Sequence, residues 1–103
     1  MRENFKKEIV QRVIKNLLDI HILRLVGAEP MWGYKIKKQI EAISGVKVRH
    51  GILYPLLNTL EHEGFLTSQK LKHGGRVRKV YMITEKGKEY LKAYYDVLKE
   101  HSS

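Results

Sequence analysis

The sequence predicts a mainly α fold of the α+β class: three helices, a β-hairpin and a closing helix. Three observations predict it. Leu53, Leu56, Leu57 and Leu60 recur at helical spacing inside "GILYPLLNTLEHEGFL" (51–66). Two β-type runs flank His73-Gly74-Gly75-Arg76, and Gly-Gly permits the positive φ of a tight hairpin turn. Thr84-Glu85 suits a helix start, and Leu91, Tyr94, Tyr95 and Leu98 follow at i, i+3, i+4 and i+7.

The elements follow in chain order. Asn4 to about Val26 is predicted as one long helix, with Ile9, Val13, Leu17 and Ile20 on one stripe and Val10, Ile14 and Leu18 beside it. "GAEPMWG" (27–33) carries the breaks Gly27, Pro30 and Gly33, and Trp32 falls in this loop. A second helix is expected from Gly33 to Ala42, with Ile36, Ile40 and Ile43 in register, followed by the connector "SGVKV". The third helix ends at Gly64. This is the order of a winged helix-turn-helix, with a two-stranded wing and long N- and C-terminal helices. One domain, 1–103, is expected: an N-terminal helix (1–27), the helix-turn-helix plus wing (28–84), and a C-terminal helix (85–103).

Laid out at about 100° per residue, the third helix turns its leucines to one side and Gly51, Tyr54, Pro55, Asn58 and His62 to the other. Pro55 removes one backbone donor early in the helix, at up to about 3 kcal/mol if the position is interior. Gly51 and Pro55 leave room for close approach, Tyr54 can stack or donate to phosphate, and Asn58 can pair with an adenine edge. Arg49 and His50 sit at the helix N-terminus, where free N–H groups favour phosphate. Tyr54 equally fits a half-buried ring packed on the second helix, and Asn58 a solvated polar residue.

Charge points the same way. The chain carries 20 Lys and Arg against 11 Asp and Glu, a net +9. Between Pro30 and Thr84 there are ten bases and three acids, while the two flanks together hold ten bases and eight acids. A surplus confined to the middle fits a polyanion-facing surface, although a lysine-rich solvated face has the same composition. The wing contributes Lys70, Lys72, Arg76, Arg78 and Lys79, and residues 64–84 contain no acid. Arginines at a hairpin tip suit a narrow minor groove; lysines on an edge strand also deter aggregation.

Three motifs carry a family resemblance. "GYKI" (33–36), "LYPLLNTLEHEGFL" (53–66) and "RKVYMITEKG" (78–87) resemble those of the PadR family of winged-helix transcriptional regulators. The resemblance implies a homodimeric DNA-binding regulator, usually a repressor, that dimerises through its C-terminal helix with help from the first. It implies that Tyr54 and the wing bases touch the operator backbone, and that Tyr34, with Lys35 beside it, is a packing or backbone-contact residue rather than a base reader. Arg49 replaces a small capping residue and Ile52 a small hydroxyl residue common in the family, so operator sequence does not carry over. A single closing helix marks a short form.

That helix fits dimerisation independently. Tyr90, Leu91, Tyr94, Tyr95, Val97 and Leu98 are more apolar than a terminal helix on a small core needs, and Ile9 and Val13 extend the surface; packing within one chain is the competing explanation. Some family members take phenolic acids or planar drugs near the dimer interface. Tyr90, Tyr94 and Tyr95 are candidates to line such a cavity for a small aromatic effector, or to pack.

Other classes find no support. There is no cysteine, His21, His50, His62, His73 and His101 form no ligand spacing, and no phosphate loop or nucleophile elbow is present, so neither metal, cofactor nor catalysis is expected. No window reaches about 18 apolar residues and the N-terminus lacks an apolar h-region, so a cytoplasmic protein without membrane association is expected. The rival function is a winged helix used as a protein-interaction or non-specific DNA-coating module.

Overall fold

Leu53, Leu57 and Leu60 turn fully inward, and the core is assembled around them in this computed structural model, which describes residues 1–102. The elements are α1 (Arg2–Asn16), α2 (Leu18–Ala28), β1 (Met31–Trp32), α3 (Gly33–Ser44), α4 (His50–His62), β2 (Leu66–His73), β3 (Arg76–Ile83) and α5 (Glu85–Glu100). Ser103, the last residue of the segment assigned to the closing helix, lies outside the described residues. The antiparallel sheet has strand order β1-β3-β2. Ile22, Leu23, Val26, Ile36, Ile40 and Leu66 join the α4 leucines in the core. Each such side chain contributes about 1.5–3 kcal/mol on burial.

The predicted long first helix is two helices. Leu17 leaves helical geometry at φ −122° and ψ 37°, although its N–H still donates to Val13 O at 2.9 Å and its carbonyl accepts from His21 N–H at 3.1 Å. The cause is a mismatch of burial. α2 buries Ile20, Ile22, Leu23 and Val26, whereas α1 buries Ile14 alone. A break at Leu17 lets α2 lie in the core while α1 runs off along α3. Asp19 Oδ1 accepts the Ile20 N–H at 2.8 Å, a local bond that favours a new helix start.

Trp32 is not in a loop. Met31 and Trp32 form a third strand, pairing with Tyr81 and Val80. Met31 and Tyr81 face inward and are both buried. Ile43, expected in the core register of Ile36 and Ile40, is 61% exposed, because the last turn of α3 overhangs a cleft between α2 and α5.

Gly27, expected as a break, lies inside α2, which runs on to Ala28; the later punctuation residues act as predicted. Gly74 and Gly75 take φ 57° and 82°, closing the β2–β3 hairpin. Gly64 ends α4 at φ 87°, with Phe65 N–H donating to Leu60 O at 2.9 Å. Thr84 Oγ1 accepts from Gly87 N–H at 3.1 Å and donates to Gly64 O at 2.6 Å, so one hydroxyl caps α5 and fixes it to the end of α4. Gly87 is buried there, where an added Cβ would collide with the Phe65 carbonyl. That close approach explains the glycine of "ITEKG".

Candidate nucleic-acid interface

α4 presents the side opposite its leucines to solvent: Gly51, Pro55, Asn58 and His62 are exposed, and the helix runs through Pro55. Tyr54 is half-buried. Its ring lies so close to Gly33 that a Cβ there would sit 2.7 Å from the ring edge. The His50 ring packs on it, tilted by 32°, at 4.1 Å between centroids. The packing reading of Tyr54 therefore holds, with the ring against the start of α3, and the residue also borders a cleft.

That cleft, of about 660 Å³, separates α4 from the wing. Tyr34, Tyr54 and Asn58 line one side, and Arg76, Arg78 and Lys79 the other. Tyr34 is 58% exposed in the first turn of α3, with Lys38 Nζ 5.4 Å from its ring centroid. At the far end of the helix, Arg49 caps α4 without any side-chain bond, its carbonyl accepting from Ile52 and Leu53 N–H at 3.0 Å each. Arg49 itself borders a separate apolar groove with Lys15, Lys47 and Ile52.

Not every predicted base is equally available. Lys70 and Lys72 are exposed on β2 but do not line the cleft. Lys35 is ion-paired with Glu29 at 2.6 Å. Lys79 is ion-paired with Glu61 at 2.8 Å, and Ser68 Oγ donates to the other oxygen of the same carboxylate at 2.5 Å. These bonds from Lys79 and Ser68 hold the Glu61 carboxyl below its ordinary range, and the bond to Glu61 raises the Lys79 ammonium. Burial pushes the neighbouring Tyr81 phenol up.

Two contributors escaped the sequence reading. Trp32 lines the cleft, with the Arg78 guanidinium carbon 3.9 Å from its ring centroid. Two residues are too short for a strand periodicity to show. Glu61 clamps both wing strands to α4; the signal for it was the lysine at an inward position of β3, which needs a counter-charge.

The residues assigned to dimerisation lie on the two terminal helices and differ in exposure. Ile9 is 58% exposed, Tyr95 45% and Leu98 49%; Tyr90 is exposed, while Val13, Leu91 and Tyr94 are half-buried. Tyr90 packs on Phe65 at 4.9 Å and Tyr94 on Tyr95 at 5.6 Å. Of the three tyrosines, only Tyr95 lines the cleft of about 680 Å³ between α2 and α5. No helix among the described residues is long and apolar enough to cross a membrane.

The fold has relatives among known proteins. The model of the transcriptional regulator PadR-like family matches residues 22–93. The transcriptional regulator Rv3488 of Mycobacterium tuberculosis is 33% identical over 72 residues, a match spanning 70% of this chain and 66% of that protein. A PadR-like transcription factor from Bacteroides fragilis is similar with a TM-score of 0.76 at 28% identity, covering 90% of each chain. A PadR-like transcriptional regulator from Bacillus cereus gives 0.77 at 27% identity, over 88% of this chain and 89% of that one. With a winged-helix architecture and a family match running from α2 into α5, the chain belongs to the PadR-like family of transcriptional regulators.

Proposed function

We propose that the protein is a homodimeric repressor that binds a specific double-stranded DNA operator in the cytoplasm. In this reading α4 enters the major groove, with Tyr54, Asn58, Pro55 and Gly51 facing base edges or phosphates. Arg49 and His50 meet the backbone at the helix N-terminus, and Arg76, Lys70 and Lys72 grip it from the wing. The observation that carries the reading is the shared cleft: the outer side of α4 and the cationic strand β3 face one space. Chain 1–103 acts as one unit, with the segment 28–84 meeting DNA and α5, helped by α1, meeting a second copy. The uncovered apolar side chains Ile9, Tyr95 and Leu98 support that pairing. The cleft between α2 and α5, bordered by Tyr95, Leu91, His21 and Arg24, suits a small aromatic effector.

The test is selection of bound fragments from the source organism's genomic DNA at physiological salt. A regulator enriches discrete upstream segments by about 10³-fold or more over random duplex. Uniform recovery across the genome would assign the protein to the DNA-coating class, and no recovery would leave a protein-interaction module.

A further inference from the structure

Trp32 is the chain's only tryptophan, and it stands on a two-residue strand whose sole ladder partner is β3. The register opposes Trp32 to Val80, which puts Arg78 two positions along the same face of β3, within diagonal reach of an aromatic ring. The Arg78 guanidinium carbon lies over the indole, 3.9 Å from its centroid and within cation–π range. Among the described residues, the Arg78 side chain makes no hydrogen bond or ion pair, whereas its neighbour Lys79 is committed to Glu61. His73, from the wing's other strand, packs against the same indole at 5.9 Å.

This geometry has a chemical consequence. A guanidinium that stacks by its face keeps its N–H donors in the plane, pointing away from the ring. They remain available for two parallel bonds to phosphate oxygens. Holding the long side chain on the ring also removes rotamer freedom before any ligand arrives, which lowers the entropic cost of contact. Trp32 and Arg78 both border the cleft shared with Tyr54 and Asn58.

We infer that Trp32 is a positioning residue: it presents the Arg78 fork to a duplex phosphate at the seam between α4 and the wing. The inference rests on the DNA-binding reading and adds to it the residue that orders the wing's second arginine. Lysine cannot substitute at 78, because an ammonium has no planar fork. Phenylalanine can partly substitute at 32, because it keeps a π face in the same strand.

The probe is a fluorescein-labelled random-sequence duplex two helical turns long, titrated by anisotropy across a potassium chloride series. Trp32→Leu and Arg78→Ala are each expected to weaken binding on the order of tenfold, and the double variant to be little worse than either. Arg78→Ala also lowers the salt slope by about one. Trp32→Phe recovers most of the affinity, and Arg78→Lys keeps the slope but not the affinity. Losses that multiply in the double variant, or a Trp32→Leu protein that binds like the parent, overturn the inference while leaving DNA binding intact. A parent protein with no measurable duplex binding overturns the functional reading itself. Should Trp32→Leu fail to fold, Trp32 emission decides: Arg78→Ala is expected to change the free protein's emission and to abolish its response to duplex. Emission identical to that of the parent refutes the contact.

Discussion

Glu61 accepts from both strands of the wing at once: Lys79 Nζ on β3 lies 2.8 Å from its Oε1, and Ser68 Oγ on β2 bonds Oε2. A single carboxylate on α4 therefore sets where the wing stands relative to the helix. Glu61→Gln is expected to loosen that junction at a stability cost of about 1 kcal/mol or less, since the pair is partly solvated. The pH dependence follows from the two shifts. Glu61 is lowered, so its contribution is present above the ordinary carboxyl value of about 4.3 and lost as pH falls below it. Lys79 is raised, so its contribution is present below about 10.4 and lost as pH rises through its folded value. Melting curves of the parent and Glu61→Gln are expected to differ at neutral pH and to converge in acid. A gap that stays constant into acid would mean that the carboxylate's charge is not the source.

The contact between Tyr54 and Gly33 predicts a coupled pair. Gly33→Ala places a Cβ 2.7 Å from the tyrosine ring and is expected to destabilise the fold by about 1–3 kcal/mol. Combined with Tyr54→Ala, the same change has room and costs little, so a double-mutant cycle by denaturant unfolding shows a coupling of about 1 kcal/mol or more. Additive effects would indicate that the ring already moves freely. Tyr54→Phe keeps the packing, so it leaves unfolding unchanged while weakening duplex binding by about 1 kcal/mol if the hydroxyl bonds phosphate.

His21 supplies an acid-sensitive element. Its Nε2 is buried without a hydrogen-bond partner among the described residues. Burial, with Arg24 adding repulsion and Asp19 opposing it, holds the imidazole pKa below its ordinary value. The unfolded chain then binds the proton more readily, so stability is full above about pH 6.5 and declines as pH falls through that value. His21→Leu is expected to flatten the melting temperature between about pH 5 and 8. An equally steep profile in that variant would place the sensitivity elsewhere.

Dimerisation is tested at the exposed end of α5. Tyr95→Glu with Leu98→Glu is expected to give monomers by sedimentation velocity, with the helix content of the parent, because both side chains are uncovered within one chain. A dimer that survives both charges would move the interface to another face.

Local chemistry was legible in the chain. Leucine spacing placed the solvent-facing side of α4, Gly74-Gly75 placed the hairpin tip, and Thr84 placed the start of α5, because each depends on neighbours a few residues away. Motif likeness named the family. What depends on distant partners was not legible. Leu17 breaks a continuous apolar pattern because α2 must reach the core while α1 need not, and no local propensity records that difference. Trp32 joins the sheet only because β3, some fifty residues later, offers it a partner. Glu61 read as one more acid on a helix surface until folding brought Ser68 and Lys79 to it. Periodicity and turn residues determined which elements form and which side of each is apolar; long-range burial and charge pairing decided how those elements are joined, and so which of the bases face the cleft.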